Sequence, residues 1–131
     1  MSYATQVASY REMEILSASP ARLVVLLFDH LVVHLQRVRI AIDNNDVNLR
    51  TISLSKARAI VSELLSTLDF DRGGKIAKDL ASLYTFLLAE MSEIGVHRDG
   101  RKVARLMEIA NDLRTGFTGA ATMAVPAKRP A

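Results

Sequence analysis

The sequence predicts an all-α fold, an antiparallel up-down four-helix bundle with a short mobile N-terminal arm, on three observations. Four segments repeat apolar residues with a period near 3.6, short polar or glycine-bearing stretches separate them, and none alternates apolar with polar residues as a half-buried strand does. Such segments bury their stripes against one another, and short connections make successive helices antiparallel.

Residues 1–16 place Tyr3, Val7 and Tyr10 at helical spacing among polar neighbours, a stretch too short to hold a helix alone, and are read as the arm. Ser19 is the expected N-cap and Pro20 the first helical residue of a helix running to about Asp43. Its core stripe is Val24, Leu27, Phe28, Leu31, Leu35, Val38 and Ile42. Asn44-Asn45-Asp46 is a turn in which Asp46 caps the second helix, whose stripe is Ala57, Ile60, Val61, Leu64 and Leu68. The paired Gly73 and Gly74 are expected to break that helix, because glycine reaches the positive φ of a tight reversal.

A third helix is expected from about Lys75 to Ile94, with Ile76, Leu80, Leu83, Leu87, Met91 and Ile94 inward and Tyr84 and Leu88 at the flank. Gly95 and Gly100 bracket the next turn, and the fourth helix, about Arg101 to Phe117, presents Val103, Leu106, Ala110, Leu113 and Phe117. Residues 118–131 have neither period nor caps and read as a disordered tail, leaving 17–117 as the bundle.

The first helix carries a second apolar stripe. Leu26, Val33 and Ile40, spaced by seven, project almost opposite the core stripe. A helix apolar on both sides is either sandwiched in a larger core or keeps one side for a partner. A chain of 131 residues has little room for a larger core, so the back stripe is covered by the N-terminal segment or a loop, or it is a docking surface.

Composition narrows the function classes. There is no cysteine, hence no disulfide framework and no thiolate zinc site, and nothing points to an oxidising compartment. The opening MSYATQVASYREMEIL lacks the basic and apolar regions of a secretory signal, and no apolar run approaches the roughly 18 residues of a membrane span. A cytoplasmic protein without stable membrane insertion is expected. The formal charge is +3, but Lys128 and Arg129 supply two of those charges from the tail and the rest are interspersed with acids, so no phosphate-binding face forms and no nucleic-acid partner is expected.

Catalytic patterns are missing. His30 and His34 at i, i+4 could chelate a metal, but the segment lacks the Glu of a metalloprotease helix, Asp29 points about 100° away from His30, and His97 falls in a loop. Asp69-Phe70-Asp71-Arg72-Gly73 begins like a calcium loop yet lacks its third acidic ligand and closing Glu, and Gly73-Gly74-Lys75 lacks the spacing of a phosphate loop. Neither a Ser/His/acid or Cys/His set nor the inward Glu-x-x-His pairs of di-iron bundles is present. No cofactor, no metal and no enzymatic activity are expected.

A family pattern runs through the same residues. Ser17-Ala18-Ser19-Pro20, Leu26-Leu27-Phe28-Asp29, Ser55-Lys56-Ala57, Leu68-Asp69 leading to Gly73-Gly74, and Leu83-Tyr84, in this order and spacing, resemble the FliS-type flagellin export chaperones over roughly residues 3 to 117. Tyr10 falls where that family tends to have an N-terminal tyrosine. His30 stands where the family commonly has Gly, and Phe117 where it commonly has Trp.

The resemblance implies a cytoplasmic bundle that binds the C-terminal segment of flagellin as helices draped over apolar grooves, prevents premature polymerisation, and assists delivery to the flagellar type III export apparatus, whose gate components are candidate further partners. It also implies an N-terminal arm that covers part of this surface when flagellin is absent. The partner-binding residues expected are Leu26, Val33 and Ile40, with Val7 and Tyr10 from the arm. The alternatives are a homodimeric helical structural or interaction protein joined through the back stripe, and a metalloenzyme using His30 and His34. A chaperone awaiting its client is expected to be a monomer or a weak homodimer.

Overall fold

The computed structural model describes residues 20–124, which form four helices: α1 (Pro20–Asp43), α2 (Val47–Ser66), α3 (Phe70–His97) and α4 (Gly100–Ala124). No strand occurs among the described residues. Ser19 and the N-terminal segment with Val7 and Tyr10 lie outside them. α1 packs most extensively against α2 and α4, and α3 closes the bundle against the same two helices. This is the arrangement that three short antiparallel connections produce.

The core stripe of α1 lies where its period places it. Phe28, Leu31, Leu35 and Val38 are fully buried, and Val24, Leu27 and Ile42 pack half-buried against them. Opposite stand Ala57, Val61 and Leu64 of α2, Tyr84, Leu87, Met91 and Ile94 of α3, and Val103, Leu106 and Ala110 of α4. Burial of these side chains, at roughly 1.5–3 kcal/mol for each large one, is what holds the bundle. One polar link crosses each remaining seam: Arg58 Nη1 of α2 donates to Ser92 Oγ (2.7 Å) and the Leu88 carbonyl (3.1 Å) of α3, and Lys102 of α4 meets Glu90 of α3 at 3.3 Å.

The first turn is built as expected. Asn45 takes the left-handed conformation (φ 54°), which Asn tolerates, and Asp46 accepts a hydrogen bond from the Leu49 amide at 3.0 Å, capping α2. The second connection differs. The reversal is made by Thr67, Leu68 and Asp69, and α3 begins at Phe70 rather than Lys75 because Asp69 Oδ1 accepts from the amides of both Asp71 and Arg72. Gly74 does take a positive φ, with φ 50° and ψ −122°, but as a kink inside α3. Gly73 is required for space, since a Cβ there would meet the Ala77 Cβ at 2.8 Å.

The inward face of α3 differs from the expectation at two positions. Ile76, expected in the core, is 71% exposed, while Ala77 takes the buried position. Tyr84, expected at the flank, is fully buried, its ring 6.3 Å from that of Phe28. Gly95 lies inside α3, and the left-handed residue that ends the helix is Arg98 (φ 54°), whose amide donates to the Ile94 carbonyl at 2.9 Å. Asp99 then accepts from the Arg101 amide at 2.9 Å and starts α4. α4 continues past Phe117 to Ala124, so residues 118–124 are helical and not part of a tail; residues 125–131 lie outside the described chain.

A candidate docking face on the first helix

Two faces of α1 have opposite fates because α2 and α4 grip it from either side of the core stripe and neither reaches round its back. Val33 is 44% exposed and Ile40 45%, whereas Leu31 and Leu35 on the opposite side are wholly covered. Leu26, one further heptad toward the N-terminus, is half-buried. At a rise of 1.5 Å per residue, Leu26, Val33 and Ile40 mark a line about 21 Å long, the length of a docked helix of four turns. The structure therefore aligns three of the five residues expected for a partner site. Val7 and Tyr10, the other two, lie outside the described residues.

The borders of this line differ in charge. On the α4 side, Asp29 is neutralised by Arg114, whose Nη1 lies 3.0 Å from the carboxylate. On the α2 side, His30, His34 and Arg37 follow one another along α1, and Lys56 of α2 lies close enough to act on His34. His34 titrates below the ordinary histidine value of 6.5, first because it is partly buried and then because Arg37, Lys56 and His30 repel a further positive charge. Its Nδ1 is buried without a hydrogen-bond partner.

These surroundings do not suit metal binding. Among the described residues no group of three or more His, Cys, Asp and Glu side chains converges, and Arg37 and Lys56, which act on His34, are cationic. A cleft of about 740 Å³ separates the end of α1 from the start of α4, but Arg39, Arg101 and Arg105 line it together with Asp43, Glu108 and Asp112, unlike the apolar wall of a small-molecule pocket. What the outer surface of α1 offers chemically is apolar contact with a cationic border. One residue outside the α2 core stripe shares this exposure: Ile52, 54% exposed, lies about 140° from the Ala57 position and thus on the outer side of α2.

The model of a family described as "Flagellar protein FliS" matches residues 3–124. The chain belongs to the FliS family. Among its relatives, the flagellar secretion chaperone FliS of Salmonella typhimurium is 29% identical over 103 residues, 78% of this chain and 76% of the relative. That of Campylobacter jejuni is 27% identical over 95 residues, covering 72% and 74% respectively, and FliSB of Pseudomonas aeruginosa is 27% identical over 108 residues, covering 82% and 86%. The FliS match takes in the whole described bundle and extends over Val7 and Tyr10, so all five residues expected for partner binding fall inside the family's span. No helix among the described residues is long and apolar enough to cross a membrane.

Proposed function

We propose that this chain is a non-enzymatic chaperone of the cytoplasm that binds the C-terminal segment of flagellin, keeps it from polymerising early, and assists its delivery to the flagellar type III export apparatus. A flagellar export chaperone is the function its family supports. The observation that carries the finer reading is the exposure of Val33 and Ile40 on a helix whose other stripe is fully buried. A client segment unstructured when alone loses chain entropy on docking, and a long apolar line offsets that loss. Leu26, Val33 and Ile40 supply the line, and Val7 and Tyr10 of the N-terminal segment are assigned to the same site.

The test is co-expression with flagellin of the same organism followed by gel filtration and light scattering. A one-to-one complex is expected, formed by flagellin with its C-terminal segment and lost when that segment is deleted. Binding that survives the deletion, or a stable homodimer that ignores flagellin, overturns the proposal. Removing residues 1–12 tests Val7 and Tyr10: faster association identifies the segment as a cover, and loss of capture identifies it as part of the binding surface.

A further inference from the structure

The two borders of the α1 line are unequal, and this inequality specifies more than an apolar partner. This inference rests on the proposed function and adds to it the chemistry and rotational setting of the bound segment. His30, His34 and Arg37 stand at i, i+4 and i+7 along the edge of α1 nearest α2, and Lys56 of α2 completes the group from across the seam. His30, Arg37 and Lys56 are all exposed. None of the three forms an ion pair with a carboxylate among the described residues, although Asp29, one residue from His30, is paired with Arg114 on the other border.

We infer that the segment held on α1 is an amphipathic helix with an acidic edge, seated with its apolar face on Val33 and Ile40 and its acidic edge turned toward α2, over His30, Arg37 and Lys56. A helix laid along this line presents one edge to each border. Carboxylates on the α2 side meet Arg37 and Lys56, which have no carboxylate partner among the described residues, whereas on the α4 side they meet a pair already neutralised. The same arrangement disfavours a basic edge, because it would add charge to a group whose members already repel one another. The polarity of the border thus fixes which way the client helix is rotated, a choice that apolar contact alone leaves open.

The experiment is calorimetric titration of the full chain with monomeric flagellin of the same organism, at about 50 and 300 mM NaCl. The charge-reversed double variant Arg37→Glu with Lys56→Glu is expected to bind about tenfold more weakly at low salt, with an unchanged melting temperature because both side chains are exposed. Arg105→Glu, an equal kind of reversal on α4, is expected to bind as wild type. The wild-type protein, which needs no altered fold, is expected to lose a few-fold in affinity between the two salt concentrations, and the double variant to lose none. Wild-type affinity in the double variant, or a wild-type affinity indifferent to salt, overturns the inference. If Val33→Ser still weakens capture in that case, the face remains the docking site and only the acidic edge is wrong. If wild-type protein fails to bind flagellin at all, the proposed function fails and the inference with it.

Discussion

The ring of Phe117 stacks on that of Phe28, their centroids 5.6 Å apart and their planes inclined by 24°. Phe28 is fully buried at the centre of α1 and also faces Tyr84 of α3, so one ring joins three helices. Phe117→Ala is expected to lower stability by about 2 kcal/mol, less than a fully buried Phe because Phe117 retains some exposure, and to loosen the end of α4 first. Phe117→Trp keeps an aromatic surface against Phe28 and is expected to cost under about 1 kcal/mol. Thermal melts measure both, and amide exchange along residues 111–124 localises the first.

Val33→Ser and Leu31→Ser separate the two faces of α1. Val33 is already in contact with water, so its replacement is expected to cost about 0.5 kcal/mol of stability yet weaken flagellin binding by about 2 kcal/mol. Leu31 is wholly enclosed, and a serine there leaves a cavity and an unpaired hydroxyl, costing about 4 kcal/mol. Melting temperature and affinity, measured side by side, decide the assignment. Equal unfolding by the two substitutions contradicts it.

Gly73 and Gly74 are expected to resist substitution for different reasons. Gly74→Ala meets no neighbouring atom but must adopt φ 50° and ψ −122°, a conformation costing an L-residue on the order of 1–3 kcal/mol. Gly73→Ala brings its Cβ to 2.8 Å from that of Ala77, on a short side chain that cannot turn aside. The double substitution Gly73→Ala with Ala77→Gly removes that clash and should recover part of the loss in a denaturation series.

Stability is expected to fall as pH drops below about 6.5. In the unfolded chain His34 takes up a proton near 6.5, while in the bundle its pKa is lower because of burial and of Arg37, Lys56 and His30. The unfolded state then binds more protons as pH falls through this window, which favours unfolding. Above it both states are neutral at His34 and the effect vanishes. His34→Gln should flatten this part of the pH profile, which urea titrations at several pH values measure. At the alkaline end, Tyr84, pushed from 10.0 up to about 12 by burial, predicts a further loss of stability as pH rises past 10.0, removed in Tyr84→Phe.

The four helices and the two faces of α1 could be read from spacing because burial there follows a single period. Asp46 was equally readable, since a capping carboxylate after two asparagines has one obvious role. Phase tells which side of α3 Ile76 occupies but not whether a neighbouring helix reaches it: near the start of α3 it is exposed, while Ala77 is buried. Phase puts Tyr84 at the flank because it says nothing of what stands opposite, and Phe28 draws it in. Periodicity ends α4 too early because Thr118 and Gly119 carry no apolar period. The helix continues there nonetheless, and the Thr118 Oγ1 hydroxyl donates to the Arg114 carbonyl at 2.7 Å. Spacing alone leaves the charged borders of the exposed line open, because which cations border α1 depends on which helix lies beside it.

The helix that carries the exposed line is also the one on which α2 and α4 are assembled. An unfolded chain has no such line, so on the proposed reading a bound client acts as a mass-action stabiliser of the chaperone itself. At a hundredfold excess of free flagellin over its dissociation constant the bundle gains about 2.7 kcal/mol. Inside a cell the chaperone is therefore most resistant to proteolysis while it is loaded, and once export removes the client, the empty chaperone is the form most open to turnover.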